Sequence, residues 1–221
     1  VLLILNTIED TKEIYKRLSD RYDGSLILLN THFTPDDRKK KIREAKEKLA
    51  ENEKVIVVST QLIEAGVDID FPIVYRDFTT VASIVQSAGR CNRNGKMPQK
   101  GKVVLFKLKN NDKIRYELIF RENDKVWIKY TANSFVKDYY EEKSLLEVQK
   151  LFFDQIQRES LFAVYGKKLE ENFLKDIKLC MFEKIGNFKL IEEEYFGTEI
   201  RYYVAENSED CKFEELLEIQ K

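Results

Sequence analysis

The first half of the chain alternates short apolar runs with helical stretches, and this alternation limits the folds that it can adopt. The run Val55–Val58 is apolar and β-branched throughout, as expected of a parallel strand that is buried on both faces. Further strands are predicted at residues 1–5, 26–29, 73–76 and 103–108. Thr7 and Thr34 are predicted N-caps of the first two helices. We therefore predict an α/β fold with a parallel sheet and helices on both faces.

The character of the sequence changes after about residue 108. The pattern predicts a hairpin with strands at 114–120 and 126–130, helices at 144–165 and 169–183, and a second hairpin at 188–191 and 198–204. We expect one domain over residues 1–108 and a mixed α+β accessory region over residues 109–221. The accessory region carries no motif from which a function can be deduced.

Composition excludes several classes of protein. Hydrophobic residues make up 43% of the 221 residues, which fits a globular chain, and no apolar run approaches the ~18 residues of a membrane span. The three cysteines have no CxxC spacing, which favours a reducing cytoplasm over a disulfide framework or a zinc site. Residues 1–108 carry 19 basic against 15 acidic side chains, and part of this excess lies at residues 38–43. Such local charge suits a phosphate-bearing partner, although a solvated helix face explains the run equally simply.

The segment QSAGRCNRNG, residues 86–95, places Arg90 and Arg93 three positions apart, with Gln86 upstream and no carboxylate between them. On one continuous helix these three side chains would share a face. Guanidinium groups match the geometry of phosphate oxygens, and an arginine that reaches a γ-phosphate can raise the rate of its transfer by roughly 10³–10⁵. Taken alone, the spacing is more typical of a surface helix with ordinary ion pairs.

A second polar segment follows the predicted strand Val55–Val58. Ser59 and Thr60 stand at the carboxyl end of that strand, where open α/β sheets bind ligands, and their hydroxyls can donate to a nucleic-acid phosphate. Gly66 permits a close approach of the backbone to a ligand, and Asp68 can accept from a ribose hydroxyl. The alternative is an ordinary strand, a turn and a second strand with solvated acids.

Together and in this order, the two segments resemble motifs V and VI of superfamily 2 helicases. STQLIEAGVDIDF resembles motif V and QSAGRCNRNG resembles motif VI, while LLILNTIEDT resembles motif IV and LLNTHFTPDDR the connecting motif after it. The wording EAGVDIDF with GRCNRNG is most similar to the helicase–nuclease of type I CRISPR systems. The resemblance covers residues 2–107 and implies the second of two RecA-like lobes. Gln86 and Ser87 stand where RNA helicases of the DEAD-box group usually carry His-Arg.

The resemblance implies a role for each matched residue. Arg90 and Arg93 would be arginine fingers for a γ-phosphate, and Gln86 would contact that phosphate or the attacking water. Gly66 and Asp68 would face the nucleotide. Contacts to the backbone of a single strand would come from Thr60, Ser59, Asn6, Thr7, Thr31 and His32. No metal site is predicted in this chain.

The resemblance further implies ATP with Mg²⁺, held mainly by a first lobe. This sequence contains neither a GxxxxGK[ST] phosphate-binding loop nor an acidic Mg²⁺ motif. It also begins inside an apolar strand without an initiator Met, so we expect a fragment with no ATPase activity of its own. The implied partners are single-stranded DNA, the first lobe, a nuclease domain or subunit, and the CRISPR surveillance complex, with no membrane partner and a cytoplasmic location.

The leading hypothesis is therefore the C-terminal helicase domain of an ATP-dependent single-stranded-DNA translocase in type I CRISPR interference. One alternative is the second lobe of another superfamily 2 helicase that acts on DNA or RNA. Another is a non-enzymatic module that binds nucleic acid or protein, and a third is a degenerate lobe that serves as a scaffold. The intact arginines and glycines argue against the last, because a scaffold does not require them.

Overall fold

A computed structural model describes residues 1–95, 97–110, 113–115, 119–120, 122–158 and 178–181. The chain divides into two compact units, Val1–Val164 and Tyr165–Lys221. All helices and strands given below belong to the first unit. The domain boundary at residue 108 stays a prediction.

Five strands form one parallel sheet, which confirms the predicted fold class. They are β1 (Leu2–Ile4), β2 (Ser25–Leu29), β3 (Val55–Ser59), β4 (Ile73–Asp77) and β5 (Lys102–Phe106). Their order in the sheet is β2-β3-β1-β4-β5, and every pair is parallel. All five strands therefore end at the same side of the sheet, which we call the carboxyl edge.

Three helices cover the sheet: α1 (Ile8–Ser19), α2 (Pro35–Ala50) and α3 (Val81–Ala88). The connection from β1 to β2 runs across the sheet in the opposite direction to those from β2 to β3 and from β4 to β5. Because such crossovers are right-handed, α1 lies on one face, and α2 and α3 lie on the other. The apolar core on the α2 face is built from the inward side chains of β1 to β4: Leu2, Ile4, Ile27, Leu29, Val55, Val57 and Val74.

Both predicted N-caps are confirmed. The Thr7 hydroxyl accepts from the backbone N–H of Asp10 at 3.0 Å, and the Thr34 hydroxyl accepts from that of Asp37 at 3.1 Å. Pro35 occupies the first position of α2, where its fixed φ suits the helix and its missing N–H costs nothing. These caps set where α1 and α2 leave the carboxyl edge.

The hairpin predicted at 114–120 and 126–130 is wrong. A short antiparallel pair, β6 (Lys109–Asn110) with β7 (Lys113–Ile114), is followed by helix α4 (Glu122–Ser134). Aromatic and β-branched residues favour a strand there by propensity, but their burial recurs at helical spacing. The hydroxyls of Thr131 and Ser134 donate to carbonyls one turn earlier, each at 2.8 Å, so these buried polar groups are satisfied within the helix.

A second accessory helix, α5 (Leu145–Arg158), confirms the helix predicted from residue 144 as far as the described residues extend. One face of α5 packs against α3 and α4 through Val148, Phe152 and Ile156, which meet Val81 and Tyr130. The predicted helix at 169–183 and the hairpin at 188–191 and 198–204 lie almost wholly outside the described residues. Among those that are described, no helix has the length and apolar character that crossing a membrane requires.

The cap of α2 gives a direct test of this local structure. Thr34→Ala should lower the free energy of unfolding by about 1 kcal/mol, because the N–H of Asp37 loses its acceptor. Thr31→Ala is the matched control, since Thr31 is an exposed threonine that caps no helix. Denaturant unfolding of both variants measures the difference, and equal losses would show that the cap contributes nothing of its own.

Candidate functional site

The residues predicted to contact a nucleic-acid strand all lie at the carboxyl edge. They end or follow β-strands, and all strands of a parallel sheet end at that edge. Thr31 and His32 follow β2, Ser59 and Thr60 close β3, and Asn6 and Thr7 follow β1. Since β2, β3 and β1 are neighbours in that order, these three pairs form one line across the sheet, which we call the edge row. A line of polar groups along the carboxyl ends is where open α/β sheets bind ligands.

The members of the edge row differ in what they can offer a ligand. Thr31 and His32 are exposed, and the His32 Nδ1 lies 3.1 Å from the Lys12 Nζ. Ser59 is fully buried, and its hydroxyl donates to the carbonyl of Thr60 at 3.0 Å. Thr60 precedes a 3-10 turn, Gln61–Glu64, and its side chain makes no capping bond to that turn. Thr60 is also buried, with 6% of its surface exposed, but its hydroxyl makes no capping bond, so the geometry favours Thr60 over Ser59 as a donor toward a ligand.

Asn6 and Thr7 already use their side chains within the lobe. The Asn6 amide donates to Asp77 Oδ2 at 2.8 Å and to the Phe78 carbonyl at 2.9 Å, and its Oδ1 accepts from Arg76 Nη1 at 2.8 Å. Thr7 is the cap of α1. For the Asn6 side chain to contact a nucleic-acid strand, it would have to give up one of these buried hydrogen bonds.

Gly66 lies in the segment that leads from β3 to β4, and its backbone explains why glycine stands there. Its φ of +71° is in the left-handed region, which strains other residues. A Cβ at this position would meet no atom within 4 Å, so the requirement is conformational and leaves open space beside the backbone. Asp68, two residues on, is exposed next to that space.

Arg90 ties the arginine segment to the segment around Gly66. It does not share a helix face with Gln86 and Arg93 as predicted, because α3 ends at Ala88 and Gly89 caps it. Its Nη2 donates to the Glu64 carbonyl at 2.6 Å and its Nη1 donates to the Val67 carbonyl, and the residue is only 7% exposed. Burial lowers the pKa of this guanidinium, and the neighbouring charge of Arg93 lowers it further.

Arg93 differs from Arg90, because its backbone is held by hydrogen bonds while its guanidinium group is exposed. The Asp70 carboxylate accepts from the backbone N–H of Arg93 at 2.8 Å and from that of Asn94 at 3.4 Å. The Arg93 side chain is 47% exposed, and its Nη1 lies 3.5 Å from Asp68 Oδ1, whose side chain is 79% exposed. Ion pairs as exposed as this one contribute about 0–1 kcal/mol, so a phosphate can replace Asp68 at little cost.

The structure thus brings Gly66, Asp68, Arg90 and Arg93 together, while Gln86 is exposed on α3. This group lies at the opposite end of β4 from the edge row. Cys91 forms a bridge with Phe71, just before β4 begins, whereas Asn6 bonds to the residues where β4 ends. The five residues of β4 put the two sites roughly 17 Å apart along the strand.

Sequence reasoning missed the buried charges between these two sites. Arg76 on β4 is fully buried, and its Nε lies 3.0 Å from Oε1 of Glu64, which is almost fully buried itself. Ser83 and Ser87 of α3 donate to the same carboxylate at 2.7 and 2.8 Å. The available signal was an arginine inside a predicted buried strand, because a charge in that position requires a partner.

The residues present fit a phosphate better than they fit a metal ion. Arg93 offers a half-exposed guanidinium next to Asp68, two residues after Gly66. Across the ranges that the structure describes, no group of three or more His, Cys, Asp and Glu side chains could hold a metal ion. The chemistry that these side chains can perform is therefore phosphate recognition and charge stabilisation.

Comparison with known proteins gives a consistent family. Residues 1–96 match the model of a Cas3-like domain described as "CRISPR-associated nuclease/helicase Cas3, C-terminal". The CRISPR-associated nuclease/helicase Cas3 of Methanothermobacter thermautotrophicus is 27% identical over 191 residues, covering 83% of this chain and 22% of that protein. The chain therefore spans about a fifth of the length of this relative.

Solved structures give the same fold. T. fusca Cas3 with ATP superposes with a TM-score of 0.55 at 18% identity, covering 78% of this chain and 23% of that one. A chain of a CRISPR RNA-guided surveillance complex before nicking superposes with a TM-score of 0.52 at 18% identity, covering 77% of this chain and 23% of that one. Likeness at this identity establishes the RecA-like α/β fold that the sequence predicted.

The environment of Cys91 makes the packing of the arginine segment measurable. Burial raises the pKa of its thiol, and the nearby Asp70 carboxylate raises it further, so less of the reactive thiolate is present at pH 8. We expect iodoacetamide to alkylate Cys91 several-fold more slowly than the exposed Cys180, as followed by peptide mass spectrometry.

Asp70→Asn should speed the alkylation of Cys91, because the change removes a charge that raises the pKa of this thiol, and Cys180 is the internal reference. In concentrated guanidinium chloride the two rates should converge. Equal rates in the folded protein would contradict the described packing of residues 70–91.

Proposed function

We propose that the chain, whose residues 1–96 match the Cas3-like C-terminal model, is the second lobe of an ATP-dependent single-stranded-DNA helicase in CRISPR interference. The observation that carries the proposal is the arrangement of one lobe with a polar row at its carboxyl edge and an exposed, backbone-anchored arginine at the far end of β4. We call the protein in which this chain follows its first lobe the two-lobed protein.

We propose that Arg93 is the arginine finger that reaches the γ-phosphate when the lobes close. Its support is the half-exposed guanidinium, the exchangeable pairing with Asp68, and the loop backbone that Asp70 fixes. A finger whose position is set in advance stabilises the charge of the transferring phosphoryl group without reorganisation. Gln86, exposed on α3, is the candidate for contact with the same phosphate or with the attacking water.

The resemblance predicts that Arg90 is a second arginine finger, but its contacts favour a structural role next to the nucleotide site. Its guanidinium is bonded to the carbonyls of Glu64 and Val67, so in this conformation it shapes the loop that carries Gly66 and Asp68. We propose that Arg90 positions this loop and that Arg93 contacts the phosphate. Asp68 then has two partners in turn: Arg93 in the open state and a ribose hydroxyl in the closed one.

We propose that a single strand lies along the edge row. Thr60 would donate to a backbone phosphate, with Thr31 and His32 as the exposed positions next along the row. ATP with Mg²⁺ would be held mainly by the first lobe, and its hydrolysis would drive the opening and closing of the lobes. The relatives are named as nuclease/helicases, so a nuclease domain or subunit and the surveillance complex are the proposed partners, in the cytoplasm.

Arg93→Ala and Arg90→Ala should separate the two proposed roles in the two-lobed protein. Arg93→Ala should lower strand-stimulated ATP turnover by about 10³-fold or more and keep ATP binding, because the γ-phosphate loses its finger. Its thermal stability should change little, since the pair with Asp68 is exposed. Arg90→Ala should instead lower the free energy of unfolding by about 1–3 kcal/mol, because two buried carbonyls lose their donor.

Arg17→Ala is the control for both variants, since Arg17 is an exposed arginine on α1 with an ordinary ion pair to Glu13. Near-normal turnover in Arg93→Ala would refute the finger. A stability loss in Arg90→Ala no larger than that in Arg17→Ala would refute the positioning role.

Thr60→Ala and Ser59→Ala test the strand path. Thr60→Ala should weaken single-strand binding by about 1 kcal/mol, the typical net value of one hydrogen bond, whereas Ser59→Ala should leave affinity unchanged because its hydroxyl is buried and bonded to the Thr60 carbonyl. Fluorescence anisotropy with DNA and RNA strands of one sequence measures both effects. An equal loss of affinity in the two variants would show that Thr60 does not contact the nucleic-acid strand. If the chain alone binds tightly and with strong salt dependence, and the first lobe adds no affinity, the binding-module alternative is favoured.

A further inference from the structure

The buried pair of Arg76 and Glu64 has no role in the function proposed so far. Its two charges lie 3.0 Å apart, with Arg76 fully buried and Glu64 nearly so. Pairs of this kind are often replaceable by apolar residues at no cost in stability, since desolvation offsets the attraction. Burial lowers the pKa of Arg76, and the negative charge of Glu64 opposes that shift. Stability alone therefore does not explain why two charges stand here.

One side of the pair reaches the edge row. Arg76 Nη1 donates to Asn6 Oδ1 at 2.8 Å and to the carbonyl of Asp77 at 2.9 Å. The amide of Asn6 is in turn fixed by Asp77 and Phe78. Arg76 therefore helps to fix the chain as it leaves β1, the middle strand of the sheet and one end of the edge row.

The other side of the pair reaches the arginine segment. The Glu64 carboxylate accepts from Ser87, which belongs to that segment, and from Ser83 one turn earlier. The backbone carbonyl of Glu64 accepts from Arg90 at 2.6 Å. Glu64 also follows Thr60 by four residues, at the end of the 3-10 turn that begins after Thr60. One short turn therefore joins Thr60 to the carboxylate that binds α3.

We propose that Arg76 and Glu64 are positioning residues that couple strand binding at the edge row to the placement of the Arg93 loop. The path runs by a hydrogen bond from Arg76 to Asn6, by the ion pair from Arg76 to Glu64, and by a hydrogen bond from Arg90 to the Glu64 carbonyl. It spans β4, whose two ends carry the two sites. This inference rests on the proposed function, since it assigns the path to communication between a strand and a nucleotide.

The enzymatic test uses Ser87→Ala in the two-lobed protein, with Ser134→Ala as the matched control. Both serines are fully buried and each hydroxyl donates one hydrogen bond, but Ser134 bonds away from the path: it donates to the carbonyl of Tyr130 and accepts from the Gln155 amide of α5 at 3.0 Å. We expect Ser87→Ala to reduce the ratio of strand-stimulated to basal ATP turnover by about fivefold or more. Ser134→Ala should lose similar thermal stability and keep the ratio.

A second test uses the full chain alone and does not depend on catalysis. Asn6→Ala and Ser87→Ala remove groups that do not touch each other but meet the same ion pair. Denaturant unfolding gives the change in the unfolding equilibrium constant for each variant. The change in the double variant should differ by about threefold or more from the product of the changes in the two single variants. Asn6→Ala with Ser134→Ala should be additive, because Ser134 lies outside the path.

The outcomes separate this inference from the proposed function. If DNA strands do not stimulate ATP turnover in the unmodified two-lobed protein, the proposed function is wrong. The unfolding experiment still tests the path in that case, because additive effects of Asn6→Ala and Ser87→Ala would show that the path does not exist. Normal stimulation in Ser87→Ala, or an equal loss in Ser134→Ala, would overturn the coupling role even if the path is real.

Discussion

Parallel pairing of five strands is the constraint on which the rest of this lobe depends. Strands that run the same way all end at one edge, and there the backbone turns outward into loops. The polar residues that follow β1, β2 and β3 are far apart in the sequence, and this geometry alone lines them up. The right-handed crossovers then place α3 on the same face as the segment around Gly66, which brings the arginines to it.

Buried charge provides the second level of organisation. A guanidinium inside an apolar sheet must be paired and hydrogen-bonded, so Arg76 draws partners from several elements that would otherwise touch only through apolar contacts. Its neighbours come from the loop after β1, from the 3-10 turn after β3 and from α3. Arg90 does the same for the loops at the other end of β4. Apolar packing holds the sheet and its helices together, while these directional bonds fix the loops relative to each other.

The two arginines of one short motif show how environment divides the work of identical side chains. Arg90 is buried against carbonyls and cannot reach outward without losing them, whereas Arg93 is exposed with a weak, exchangeable partner. The accessory helices α4 and α5 pack on the first turn of α3, through Val81, and so stiffen the helix that leads to both arginines. A rigid support of this kind suits a group that must meet its target in one geometry.

The resemblance to helicase motifs named the residues at the carboxyl edge and around Gly66. The sequence by itself determined the parallel sheet, the caps at Thr7 and Thr34, and the turn at Gly66. Local rules suffice for these, because a buried β-branched strand, a capping hydroxyl and a positive φ each have a signature within a few residues. Only the tertiary structure decided that residues 126–130 are helical, that α3 stops at Ala88, and that Arg90 turns inward while Arg93 stays out. Those outcomes depend on what packs against each residue from a distant part of the chain, and neither propensity nor spacing contains that information.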